Sequence, residues 1–188
     1  MAQPPPSTPR RHCEPVLLLA SVLGATPELV GTAVERMAEQ FGELVFVSEP
    51  LPFSWTEYYG DELGDEPARR FLAVRDLLDD PSRLADVKRA CCRLEVALGR
   101  PGGGRLVNID PGYLNENQLV VASTKLRAHR VYVGRGVHAD LMLINGEAGY
   151  EPLPWTYPDY ASQELRQMFA GLRRIYLAAR RLRRRRTP

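Results

Sequence analysis

A chain of 188 residues that is 44% hydrophobic has the length and apolar content for one domain with a proper core, and is short for two. No apolar run approaches the roughly 18 to 20 residues of a membrane-spanning helix, and no apolar signal-peptide core follows the basic pair Arg10-Arg11, so the expected location is cytoplasmic. The net charge of +2 is unevenly divided: ten of the 25 basic residues lie at the two ends, leaving fifteen basic against twenty-two acidic residues between Glu14 and Arg173. An acidic body repels a phosphate backbone and argues against a nucleic-acid groove on the folded part.

Residues 1–14, with Pro4, Pro5, Pro6 and Pro9, read as a disordered leader. Val16 to Leu23 is a continuous apolar run of strand length, the pattern of a central strand buried on both faces. Thr26 follows as an N-cap with Pro27 at the first helical position, and Leu29, Val30, Ala33, Val34, Met37 and Phe41 recur at helical spacing until Gly42. A strand is predicted over Leu44 to Ser48, a long proline-rich loop over Glu49 to Pro67, and a third strand over Arg69 to Arg75, where RRFLAVRDLL fits a helix equally well. Pro81 opens a helix whose apolar stripe is Leu84, Val87, Cys91, Leu94 and Leu98, and a fourth strand covers Leu106 to Asp110. The order is βαββαβ, that of a ferredoxin-like antiparallel sheet in an α+β domain.

Asn115 to Lys125 reads as a short helix, and His129 to Val133 with Val137 to Ile144 as an added C-terminal hairpin around Gly134-Arg135-Gly136. Leu165, Met168, Phe169, Leu172, Ile175 and Tyr176 make a last amphipathic helix. The expected organisation is a leader over 1–14, one domain over 15–179 and a basic tail over 180–188, the tail suited to weak contact with acidic partners.

Two segments echo each other without a gap: Glu49 to Tyr58 (EPLPFSWTEY) and Glu151 to Tyr160 (EPLPWTYPDY). Each follows a predicted strand. Either two equivalent loops converge on one pocket, or prolines and aromatics independently make a stiff exit from a strand.

The candidate site gathers around the strand ending in Asn108-Ile109-Asp110, where Pro111-Gly112 is expected to turn the chain sharply. Asp110 and His129 are the candidate catalytic groups, as a carboxylate at a strand end and a general base. Lys125 and Arg130 form a candidate anion clamp, in a chain whose only lysines are Lys88 and Lys125. Tyr113, Glu57, Tyr58, Trp155, Asp159 and Tyr160 complete the expected ligand-binding set. The structural alternatives are an Asp110 that caps its own turn, a Lys125 in solvent and a structural His129. Cys13, Cys91 and Cys92 fit neither a disulfide framework nor a zinc site. Any metal would have to be held by carboxylates such as Asp110, Glu57, Glu151 and Asp159, which suit magnesium. The phosphate-binding loop, the GxSxG elbow, HExxH and GxGxxG are all absent.

At VNIDPGYL, ASTK, HRVYVG and EPLPWTYPDY, together with PFSWTEYYGDELG, the chain resembles an uncharacterised bacterial domain-of-unknown-function family, number 4416, over nearly all of residues 15 to 177. The GTP-binding label carried by some members of that family finds little support here, because an NKxD guanine motif is lacking as well as a phosphate-binding loop. The resemblance implies no activity. Two functions remain: a domain binding a small molecule, nucleotide or other phosphate compound, and acting as an enzyme if that substrate is turned over; or a non-catalytic interaction protein whose proline-aromatic loops bind a partner or a second copy of the chain.

Overall fold

The computed structural model describes residues 13–53, 63 and 67–186. Most of the expected leader, and Glu57 and Tyr58 of the first echoing loop, lie outside these residues. The nine strands among them are β1 (Leu17–Gly24), β2 (Leu44–Val47), β3 (Leu51–Pro52), β4 (Ala68–Val74), β5 (Val107–Leu114), β6 (Gln118–Ser123), β7 (Arg130–Gly134), β8 (Val137–Gly146) and β9 (Gly149–Pro152). The helices are α1 (Pro27–Phe41), α2 (Leu84–Ala97), the single-turn α3 (Pro158–Ala161) and α4 (Gln163–Arg186).

All the strands join one antiparallel sheet in the order β2-β4-β1-β5-β6-β8-β7, with β3 on β4 and β9 on β8. The α+β class expected from the sequence is therefore found, with β1 buried along its whole length. The sheet order runs well past four strands, and the C-terminal addition is larger than a hairpin.

Alternation along the strands sends one set of side chains to each face of the sheet. Leu18, Ala20 and Val22 of β1 pack with Val30, Ala33 and Met37 of α1 and Val87 and Cys91 of α2. Leu17 and Leu19 face the other way, with Phe71, Leu114, Leu119 and Met142, against Leu165, Phe169, Leu172 and Tyr176 of α4. The sheet is thus sandwiched between helices. Local signals fix the helix ends: the Leu29 amide donates to Thr26 Oγ1 at 3.3 Å, Pro27 opens α1, and the Gly42 amide donates to the Ala38 carbonyl at φ 107°.

Two expectations near the site are corrected. Residues expected as a helix from Asn115 to Lys125 instead turn and form β6. The Asn115 side chain accepts from the amides of Asn117 and Gln118 at 2.9 and 3.0 Å, closing a hairpin, and Leu119, Val120 and Val121 are buried as strand residues. Pro111-Gly112 does not turn the chain; both stay inside β5, opposite Ala20 and Leu19. β5 pairs with β6 only from Gly112 to Leu114, so the edge of β5 before them is unpaired on that side. Pro111, which has no N–H to offer, suits a strand where its ladder has opened.

Helix α4 runs through the expected tail as far as Arg186. Arg180 meets Glu14 and Glu116, Arg184 meets Glu14, and Arg183 meets Asp79. Among the described residues no helix is long and apolar enough to cross a membrane.

Candidate functional site

On the α4 face of the sheet, the strands change from apolar to polar toward one end. Leu19 gives way to Ser21, Phe71 to Arg69, Leu114 to Asp110 and Asn108, Val121 to Ser123, and Met142 to Asp140. These polar positions floor a cavity of about 380 Å³, walled by Phe53 from the first echoing segment and by Tyr157 to Tyr160 from the second.

Between β5 and β6 the opened sheet is filled by side chains from α2. The Ile109 amide donates to Glu95 Oε1 at 2.7 Å, and Lys88 Nζ donates to the Ile109 carbonyl at 2.7 Å. Two side chains thus take the hydrogen bonds that a neighbouring strand would make. Lys88 also donates to Asp110 Oδ1 at 3.0 Å and lies 3.7 Å from Glu95. Burial opposes its charge, but the carboxylates of Asp110 and Glu95 outweigh burial and hold its pKa above the ordinary lysine value. Burial moves Glu95 upward despite Lys88 and the Ile109 amide, which work the other way. Cys92 lines the same wall, and burial raises its pKa too, so it stays a neutral thiol near pH 7.

Asp110 is aligned from two sides: Asn108 Nδ2 donates to its Oδ2 at 2.7 Å, while Arg105 donates to Asn108 Oδ1 at 3.1 Å. Its side chain remains 35% exposed, on the cavity wall.

Across the cavity Arg130 is almost saturated. Nε donates to Asp140 Oδ2 at 2.7 Å, Nη1 to Ser123 Oγ at 2.8 Å and the Lys125 carbonyl at 2.9 Å, and Nη2 to Tyr157 Oη at 2.6 Å. Arg130 therefore shapes the loop between β6 and β7, and it is Lys125 and Arg127 on that loop that stand exposed at the cavity wall. Arg69, buried, is paired with Asp159 and held between the rings of Phe53 and Phe71, each 4.8 Å from its guanidinium carbon. Nε of Arg69 and Oδ1 of Asp140 are buried with no hydrogen-bond partner among the described residues.

Of the residues singled out in the sequence, Asp110, Lys125, Arg130, Asp159 and Tyr160 line this one cavity. Tyr160 is also a core residue, stacked on Phe169 with centroids 5.5 Å apart, and burial raises its pKa. Tyr113 is not brought to the site. It lies three residues beyond Asp110 in an unbroken strand, so it faces the opposite side, toward Leu84 and Ala85. Trp155 donates from Nε1 to the Leu141 carbonyl at 2.8 Å and stacks on His129 at 5.4 Å; neither lines the cavity. His129 Nε2 lies 3.6 Å from Asp140, behind the wall. Among the carboxylates considered for magnesium, Asp110 is committed to Lys88 and Asp159 to Arg69, Glu151 stands on β9, and Glu57 is outside the described residues. Among the described residues, no group of three or more His, Cys, Asp and Glu is placed to hold a metal ion.

Arg69, Lys88, Glu95, Ser123, Asp140 and Tyr157 were not singled out as site residues. A signal existed for three of them: Arg69, Ser123 and Asp140 are polar side chains at inward positions of strands, where alternation calls for apolar ones.

Comparison with protein families matches residues 14–176 to the Domain of unknown function (DUF4416). No curated protein and no solved structure matches the chain.

Proposed function

The chain belongs to the DUF4416 family, whose description assigns no chemistry, and from its cavity we propose that the domain binds a small phosphate-bearing molecule, with the anionic group at Lys125 and Arg127. The observation that carries this reading is the convergence of six cationic side chains, Arg69, Lys88, Arg105, Lys125, Arg127 and Arg130, on one cavity in a body where acids outnumber bases. Among the described residues four carboxylates share the cavity, and three of them, Asp110, Asp140 and Asp159, pair with the deeper cations Lys88, Arg130 and Arg69. Arg105, Lys125 and Arg127 line the same cavity. A volume of about 380 Å³ falls within the range of roughly 300–1,000 Å³ usual for small-molecule sites. Asp140 Oδ1 and Arg69 Nε, beside the cavity, have no hydrogen-bond partner among the described residues. If the bound compound is turned over, proton transfer falls to Asp110, since His129 does not line the cavity.

The test is calorimetry and thermal shift with inorganic phosphate and nucleoside phosphates on the full chain. The expected result is saturable binding that weakens at least tenfold in the double variant Lys125→Ala, Arg127→Ala, with an unchanged melting temperature. Binding of no phosphate compound at all would sink the reading.

The order β2-β4-β1-β5 with α1 and α2 on one face supports reading the N-terminal part as a ferredoxin-like unit, to which β6 to β9 and α4 are added. A specific observation also favours a second function. The edge strand β7 exposes Val131 and Tyr132, at 68% and 62%, beside Leu126 at 74%, a surface suited to a second copy or another partner. A sedimentation profile that stays monomeric at high concentration would count against the second copy.

A further inference from the structure

We infer that the ligand of this cavity is a polyhydroxylated phosphate, a sugar phosphate or the sugar-phosphate part of a nucleotide, and that Asp110 accepts a hydrogen bond from one of its hydroxyl groups. This rests on the phosphate reading above and adds the second half of the ligand.

Asp110 is an acceptor whose direction is already set. Lys88 donates to Oδ1 and Asn108 to Oδ2, and Arg105 on Asn108 Oδ1 holds that amide with its NH₂ toward the carboxylate. An ionised carboxylate has about four acceptor positions, and two are taken. The partly exposed side chain presents the remaining ones along the cavity wall. A ligand group meeting them must therefore be a donor.

Charge separates the two kinds of donor. Lys88 sits 3.0 Å from Oδ1, so a ligand ammonium on the same carboxylate would face a like charge close by, whereas a neutral hydroxyl meets no such repulsion. Ser21 stands opposite Asp110 in the β1–β5 ladder and lines the same wall, adding a hydroxyl that both donates and accepts. Two neighbouring groups of this kind match neighbouring hydroxyls on a sugar ring. The cationic loop with Lys125 and Arg127 belongs to the other side of the sheet's opening, between β6 and β7. The cavity thus has an anion-binding wall and a hydroxyl-binding wall, and a ligand that uses both carries a phosphate and a polyol.

Three probes on the full chain test this by calorimetry: inorganic phosphate, methyl phosphate and ribose 5-phosphate. Ribose 5-phosphate is expected to bind at least tenfold more tightly than methyl phosphate, which carries the same phosphate ester without hydroxyls. Asp110→Asn is expected to remove most of that preference, bringing the ratio of the two affinities close to one. Equal affinity of the wild-type chain for the sugar phosphate and methyl phosphate overturns the inference while leaving the phosphate site standing, and needs no variant that might misfold. A loss of both affinities in equal proportion in a folded Asp110→Asn chain overturns the role given to Asp110. Failure of all three probes to bind overturns the phosphate reading itself, and this inference with it.

Discussion

Arg130 has four of its guanidinium hydrogen-bonding contacts on four different groups, Asp140, Ser123, the Lys125 carbonyl and Tyr157, so its removal would leave Asp140 buried and unmatched. Breaking a buried pair from one side costs about 3–5 kcal/mol, and that loss is expected for Arg130→Ala in urea unfolding, with Arg130→Lys restoring less than half because an ammonium lacks the planar fork. Lys125→Ala, at an exposed position, should change stability by no more than about 0.5 kcal/mol. Equal destabilisation by the two variants would mean that Arg130 does not build the loop while Lys125 merely stands on it. Lys88 gives a pH signature. Its pKa is raised in the folded chain, so the stability its protonated form contributes is fully present below the unfolded lysine value and is lost as pH rises through the higher native one. Urea unfolding of the wild type against Lys88→Met should show a difference of several kcal/mol at neutral pH. That difference should narrow only above the ordinary lysine range; one that narrows already between pH 7 and 9 would contradict the assignment.

At the scale of elements, most of the fold could be read from the sequence wherever one local rule acted alone. The all-apolar run gave β1, Thr26-Pro27 and Gly42 marked the two ends of α1, and alternation around Gly134-Arg135-Gly136 gave β7 and β8. It could not be read where tertiary pairing decided between equal local choices. Asn115 can start a helix or close a turn, and the open edge of β5 decided for the turn; Pro111-Gly112 looks like a turn because the opened ladder that tolerates a proline is not visible in a linear sequence. The same limit explains the site. Lys125 and Arg130 were recognisable as polar residues at element ends, and Asp110 was singled out at an expected strand end that lies inside β5, whereas Lys88 and Glu95 belong to the cavity only because β5 and β6 part beside α2. Gly112 marks where they part. A Cβ there would collide with the Val120 carbonyl, so Gly112→Ala should lower stability by about 1–3 kcal/mol and disturb the cavity wall, measured as a joint loss of melting temperature and ligand binding. An Ala variant as stable as wild type would show that the strands approach less closely than described. The basic end of α4 makes a milder demand. Its pairs with Glu14, Glu116 and Asp79 involve largely exposed acids, so truncation before Arg180 should cost about 1–2 kcal/mol in dilute buffer and less in 1 M salt. A larger loss, insensitive to salt, would mean that this end is part of the core.

For the molecule as a whole, the parting of β5 and β6 has a mechanical meaning. The strands before it and those after it share only three registered residue pairs, Gly112 with Val121, Tyr113 with Val120 and Leu114 with Leu119, and otherwise rely on the helices laid across both faces. Such a seam is where exchange-competent opening is expected to begin. The Ile109 amide lies on the seam and is protected by a carboxylate side chain, so its deuterium uptake should speed up in Glu95→Ala while the amides of β1 paired with β4 keep their wild-type rates. A ligand that touches Asp110 on one side and Lys125 on the other spans the same line. Its binding should then slow exchange across the seam well beyond the residues it touches, fastening the two sides together as a stitch holds cloth.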